Sequence, residues 1–189
     1  MSDTTFTYGP SALATPANAV TVIRLLVSPL LFSMISHDPY TWPVFVLWVA
    51  LASTDGIDGW IARRHGTTRS GAFLDPLADK VLVLGALFSL ASIGRFTWVP
   101  VAIVACRELF ISLYRVYWGR RGLAVPARKS AKAKTVMQSV AIGLALFPPF
   151  ADRWLLGDIA LWISVVLALV SATQYVVDGR KSATTLGHL

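Results

Sequence analysis

Six apolar stretches, each near twenty residues long and poor in charge, follow one another along this sequence at approximately 17–36, 40–62, 72–94, 97–118, 133–151 and 157–178. A hydrocarbon core of ~30 Å is crossed by about 20 residues of α-helix, so each stretch is long enough to span a bilayer. Only 14% of the residues are charged, against about 25% in a soluble domain. The pattern predicts an all-α integral membrane protein with six transmembrane helices. No room is left for a separate soluble domain. Residues 1–16 are expected to form an N-terminal cytoplasmic or interfacial segment, 17–178 the six-helix transmembrane domain, and 179–189 a cytoplasmic tail. The first sixteen residues carry no Lys or Arg and no compact apolar core before a cleavage site, which argues against a removable signal peptide. The single cysteine, Cys106, falls inside the fourth stretch and is expected to be a small packing residue.

The net charge of +7 arises from 17 Lys and Arg against 10 Asp and Glu, and its placement is more informative than its size. Arg63, Arg64 and Arg69 lie between the second and third stretches, a basic run from Arg115 to Lys134 surrounds the fourth connection, and Arg180 and Lys181 follow the sixth stretch. The opposite connections hold only Arg95 and Arg153. By the positive-inside rule both termini and the two basic connections are cytoplasmic. Topology and attraction to anionic lipid account for most of these charges, and nucleic-acid binding is not implied.

Against this background the polar residues within the apolar stretches stand out. Asp55 and Asp58 are three residues apart, and Asp75 and Asp79 four apart, so on helices each pair projects from one face. Both pairs fall near the same cytoplasmic boundary. Four carboxylates there repel one another unless cations bind between them, and hard divalent ions such as Mg²⁺ or Mn²⁺ suit an all-oxygen set and complete their shells with substrate phosphates. One carboxylate is then available as a general base. Gly56 and Gly59 beside the acids permit close approach of a ligand or another helix. In the first stretch Asn18, Thr21 and Arg24 follow a three-residue step along one stripe; Arg24 is read either as part of a site or as a side chain snorkelling to the headgroups. Trp42 is assigned to an interfacial aromatic belt. Arg107 and Glu108 interrupt the fourth stretch. Intramembrane ionisable groups mark functional sites by default, because an unpaired charge in hydrocarbon is expensive; the plainer alternative is an ion pair, local or between helices. Gln138 follows Lys134 by four residues, and together they suggest an anion pocket.

The segment from Asp55 to Asp79 reads D-x-x-D-G-x-x-A-R, seven residues, G-x-x-x-D-x-x-x-D. It resembles the signature of the CDP-alcohol phosphotransferase family at every fixed position: Asp55, Asp58, Gly59, Ala62, Arg63, Gly71, Asp75 and Asp79. The resemblance implies the family's six-helix fold and a cytidine diphosphate donor held by the motif. It also implies two divalent metal ions on Asp55, Asp58, Asp75 and Asp79, with Asp79 also the catalytic base. Gly59, Ala62 and Gly71 would belong to the nucleotide site, Arg63 would contact its phosphates, and Asn18 and Thr21 would be further nucleotide neighbours. Members commonly form homodimers.

Three further segments resemble the phosphatidylglycerophosphate synthase branch of that family: TPANAVTVIRLLVSP, RELFISLYR from Arg107 to Arg115, and KSAKAKTVMQSVAI from Lys129 to Ile142. The branch transfers a phosphatidyl group from CDP-diacylglycerol to sn-glycerol 3-phosphate. Arg107, Arg115, Lys132 and Lys134 would then bind the acceptor phosphate, a dianion served by several cations. Ala131 stands where relatives often have glycine. The competing acceptors are phosphatidylglycerol, as in a cardiolipin synthase, and inositol phosphate. A cation transporter is the rival from another class; it calls for carboxylates near the bilayer midplane rather than at one boundary beside arginines. The expected location is the inner (cytoplasmic) membrane with the site on its cytoplasmic side.

Overall fold

The computed structural model describes residues 16–65, 71–120 and 129–186, and their side chains except at 16–18, 55–65, 71–76, 118–120, 129–131, 176 and 178–186. The described residues form six α-helices and one 3-10 turn, with no strand among them: α1 Pro16–His37, α2 Trp42–His65, α3 Gly71–Ser92, α4 Trp98–Arg120, α5 Lys129–Leu146 and α6 Trp154–Leu186. Each of the six apolar stretches is largely helical, the fifth ending in the 3-10 turn Pro148–Phe150. Two of the described helices carry windows long and apolar enough to cross a membrane, Ala19–His37 and Trp154–Tyr175. At a rise of 1.5 Å per residue these cover about 28 and 33 Å.

Several helices bury polar groups beside apolar ones and expose aliphatic side chains. In α1 the buried stripe is Thr21, Arg24, Ser28, Leu31 and Ile35, whereas Leu26 is 74% exposed and Val22, Ile23 and Leu30 are exposed too. In α4 Arg107 and Glu108 are buried and Leu113 is 70% exposed; in α5 Lys134 and Gln138 are buried and Val136 and Val140 exposed. Polar groups turned inward and aliphatic groups turned outward suit a lipid surround, where the outward face needs no water. The same pattern corrects the expectation for Cys106. It is exposed, because it shares the outward face of α4 with Leu109, Phe110 and Leu113 rather than the stripe of Val104, Arg107 and Ile111.

The chain divides into two compact units, Met1–Ser89 and Leu90–Leu189. In the first, α1 and α2 are joined by a short turn closed by Asp38 N–H to the Met34 carbonyl at 3.0 Å and Phe45 N–H to the Thr41 carbonyl at 3.1 Å. The connection returns α2 alongside α1, and Arg24 and Thr54, nearly equidistant from the turn, meet through a 3.1 Å hydrogen bond. α1 continues through Pro29 without a break. On α3, Gly85 lies directly under the ring of Phe32 from α1, so close that a Cβ at this position would overlap the ring.

In the second unit α3 ends in a left-handed glycine cap. Gly94 has φ of 75°, its N–H reaches the Ala91 carbonyl at 3.1 Å, and Arg95 N–H reaches the Leu90 carbonyl at 2.9 Å, which satisfies carbonyls that the helix end would otherwise leave open. Arg95 then donates from Nη1 to the Trp154 carbonyl at 3.1 Å, fastening this turn to the start of α6. The buried face of α6 combines small residues, Gly157, Ala160, Ser164, Ala168 and Ser171, with Leu161, Val165 and Tyr175; the small ones permit close helix approach. α5 packs along α6, and α4 against α6. α5 spans Lys129–Leu146 against an expected 133–151, and α6 spans Trp154–Leu186 against an expected 157–178, so residues 179–186 of the expected tail are helical. Hydropathy marks where a helix leaves the bilayer; the helix itself ends only where propensity or a cap stops it.

Candidate functional site

The best-defined polar cluster of the described residues lies in the second unit and joins α4, α5 and α6. Arg107 is 6% exposed and donates three hydrogen bonds. Nη1 reaches Glu108 Oε1 at 2.9 Å, Nη2 reaches Ser171 Oγ at 2.9 Å, and Nε reaches the Ala168 carbonyl at 3.1 Å. Lys134, also 6% exposed, donates from Nζ to the same Glu108 Oε1. One carboxylate oxygen thus bridges two buried cations from different helices. Two buried cations that meet on one carboxylate are also suited to receive a small anion such as a phosphate.

Of the four residues expected to bind the acceptor phosphate, the structure brings Arg107 and Lys134 together. Arg115 and Lys132 lie exposed outside this cluster. The ion-pair alternative for Arg107 and Glu108 is realised both locally, within α4, and across to α5. Ser171 and the Ala168 carbonyl were not among the residues singled out from sequence. One turn along α5 from Lys134, Gln138 is 2% exposed, and its Nε2 is buried without a hydrogen-bond partner.

The first unit holds the other half of the expected chemistry. α2 is helical through Asp55 and Asp58, and α3 through Asp75 and Asp79, so the backbone condition for two same-face carboxylate pairs is met. The side chains of Asn18, Asp55, Asp58, Gly59, Ala62, Arg63, Gly71 and Asp75 lie outside the described residues. Asp79 is half-buried and is not without a partner. Thr21 is fully buried, and Arg24 is 1% exposed, which removes the snorkelling alternative for Arg24. Its Nε donates to Thr54 Oγ1, Thr54 donates to the Leu51 carbonyl at 2.6 Å, and Ser28 donates to the Arg24 carbonyl at 2.6 Å. A polar stripe of α1 is therefore tied to α2 at the residue immediately before Asp55.

Among the described residues no group of three or more His, Cys, Asp or Glu forms a metal cage; three of the four expected ligands fall outside that set. The donor set itself, four carboxylates at helical spacing on α2 and α3, fits hard divalent cations and lacks the thiolates or imidazoles of a zinc site.

Comparison with known proteins agrees with this assembly of parts. The family model described as CDP-alcohol phosphatidyltransferase matches residues 14–170. A protein of Pseudomonas fluorescens named CDP-diacylglycerol–glycerol-3-phosphate 3-phosphatidyltransferase is 35% identical over 183 residues, covering 87% of this chain and 93% of its own. The protein of that name from Escherichia coli K12 is 34% identical over 169 residues, 85% and 92% of the two chains. One from Mycobacterium tuberculosis H37Rv, named as a probable phosphatidylglycerophosphate synthase, is 33% identical over 174 residues, 89% and 83%. The chain belongs to the CDP-alcohol phosphatidyltransferase family.

Proposed function

We propose that this enzyme transfers the phosphatidyl group of CDP-diacylglycerol to sn-glycerol 3-phosphate, giving phosphatidylglycerophosphate and CMP in phospholipid biosynthesis. The names of the relatives support this reading. The relatives' names carry the choice of acceptor, and the buried pair Arg107 and Lys134, which meet on one carboxylate oxygen, supports a phosphate-bearing one. Arg115 and Lys132, exposed toward the cytoplasmic ends of α4 and α5, would guide the acceptor inward and contribute further charge.

On this reading Asp55, Asp58, Asp75 and Asp79 hold two divalent ions, Mg²⁺ or Mn²⁺. Bound there, they neutralise charge on the donor diphosphate and its leaving phosphate. Asn18, Thr21, Gly59, Ala62, Arg63 and Gly71 accommodate the cytidine diphosphate, and the Arg24–Thr54 bond fixes the α1 stripe against the start of the acidic motif. Asp79 takes the proton from the acceptor hydroxyl as its oxygen bonds to the phosphatidyl phosphorus and the bond to CMP breaks.

Six membrane crossings complete the picture, with residues 17–178 as the catalytic domain and the site on the cytoplasmic side of the inner membrane. Trp42, Trp98 and Trp154 support the topology: each is the first residue of an even-numbered helix and each is exposed. In an alternating six-span chain they fall at one interface, as an aromatic belt requires. The enzyme is read as a homodimer in keeping with its family resemblance. Reconstituted protein is expected to release CMP from CDP-diacylglycerol with glycerol 3-phosphate and a divalent cation, and to stop on chelation. Release with inositol phosphate or phosphatidylglycerol in place of glycerol 3-phosphate would overturn the acceptor assignment.

A further inference from the structure

The acceptor cations come from different helices, and something must keep them together before the acceptor arrives. We propose that Glu108 is the positioning residue of the acceptor site, setting Arg107 and Lys134 at the separation one phosphate group needs. The inference rests on the acceptor reading above and adds a role for a residue outside the family signature.

Like charges packed together in a buried site repel, and each is also disfavoured by loss of water. Glu108 Oε1 accepts from both Arg107 Nη1 and Lys134 Nζ, so it offsets the repulsion and at the same time sets the distance between the two cations. The guanidinium is held from a second side. Nε and Nη2 are committed to Ala168 and Ser171 of α6. A guanidinium has five N–H donors in a planar fork. With three in use, one N–H remains on Nη1 and one on Nη2. Two N–H groups of one guanidinium can take two phosphate oxygens, and the contacts to Glu108 and to α6 hold that group in place. Gln138 adds an independent sign of a ligand. Its Nε2 is buried without a partner one turn from Lys134 on the same stripe, and buried amide donors are rarely left so; an acceptor oxygen would satisfy it.

The test uses the full chain in vesicles containing CDP-diacylglycerol, with KM for glycerol 3-phosphate, KM for the lipid donor and kcat measured separately for Glu108→Gln, Lys134→Ala and the double variant. Glu108→Gln keeps the shape and loses the charge. It is expected to raise the KM for glycerol 3-phosphate about tenfold, the factor corresponding to ~1.4 kcal/mol, and to leave the KM for CDP-diacylglycerol within about twofold. If Glu108 acts by setting the two cations relative to each other, the double variant is impaired by less than the product of the two single effects. An unchanged acceptor KM in Glu108→Gln, an equal rise in both KM values, or multiplying effects in the double variant would overturn the proposal. A wild-type acceptor KM in Lys134→Ala would instead remove the acceptor site itself, and the proposal with it. If Glu108→Gln fails to insert, Glu108→Asp, which keeps the charge and draws the carboxylate back by one methylene, reads the same dependence. A raised acceptor KM supports positioning, and an unchanged one refutes it.

Discussion

Replacing Arg107 by Lys conserves the charge and removes the fork, and the three bonds of the native side chain indicate what is lost. Arg107 reaches Glu108, Ser171 and the Ala168 carbonyl from three different nitrogens. A lysine has one nitrogen on a flexible stem. It keeps the ion pair with Glu108 and gives up the two bonds to α6. Interhelical hydrogen bonds inside membranes average about 0.6 kcal/mol and reach about 1.7, so the variant is expected to lose about 1–3 kcal/mol of stability. The same change removes the pair of N–H groups left for the acceptor, and about 1.4 kcal/mol there corresponds to a tenfold rise in KM. Unfolding of the purified protein in mixed micelles, with increasing SDS mole fraction and helix content followed by circular dichroism, gives the first quantity. Initial-rate kinetics with glycerol 3-phosphate in vesicles give the second. A variant that matches the wild type in both would show that the fork is immaterial and that charge alone organises the cluster.

Other substitutions test other parts of the molecule. Asp58→Asn and Asp75→Asn are each expected to abolish CMP release while leaving the helical circular dichroism signal intact; full turnover in either would remove that residue from the metal set. Gly85→Ala pushes a methyl group into the Phe32 ring and is expected to cost about 1–3 kcal/mol, as overpacking does, with much of the loss recovered by adding Phe32→Leu. Gly94→Ala forces a side chain onto a backbone at φ of 75°, which costs about 1–2 kcal/mol although open space surrounds the position; Gly94→Asn is expected to cost less in the same unfolding assay. Thr54→Val removes the acceptor for Arg24 Nε and is expected to destabilise the first unit by about 1 kcal/mol.

The helices were legible as apolar runs near twenty residues long, two of which, in α1 and α6, are long and apolar enough to cross a membrane. Where the helix and the apolar run part company, hydropathy misleads: α5 begins at Lys129 in a polar stretch, and α6 passes Asp178 and Gly179 to Leu186. Cys106 shows a related limit, since small size suggested packing while its outward position follows from the register of Arg107. Arg107 and Glu108 were recognisable as charges within an apolar stretch, and the acidic motif by its spacing together with its resemblance to a family signature. Ser171 was not, because a serine in an apolar helix usually bonds its own preceding turn, as Ser28, Ser112 and Ser164 do here. Nothing in the one-dimensional pattern separates the serine that meets Arg107 from those that serve themselves. The bridge from Glu108 to Lys134 joins residues 26 apart, and only the fold supplies that pairing.

The grip of Arg107 on α6 also ties ligand affinity to mechanical cohesion. The guanidinium assigned to the acceptor phosphate is the same group that fastens α4 to the Ala168 carbonyl and Ser171, so occupancy of the site and adhesion of the two helices are thermodynamically linked. Acceptor at ~100 times its Kd adds about 2.7 kcal/mol to the folded form by mass action. By the same linkage, a lesion in α6 at Ser171 registers in an assay as weak substrate binding, and saturating substrate partly restores the damaged protein.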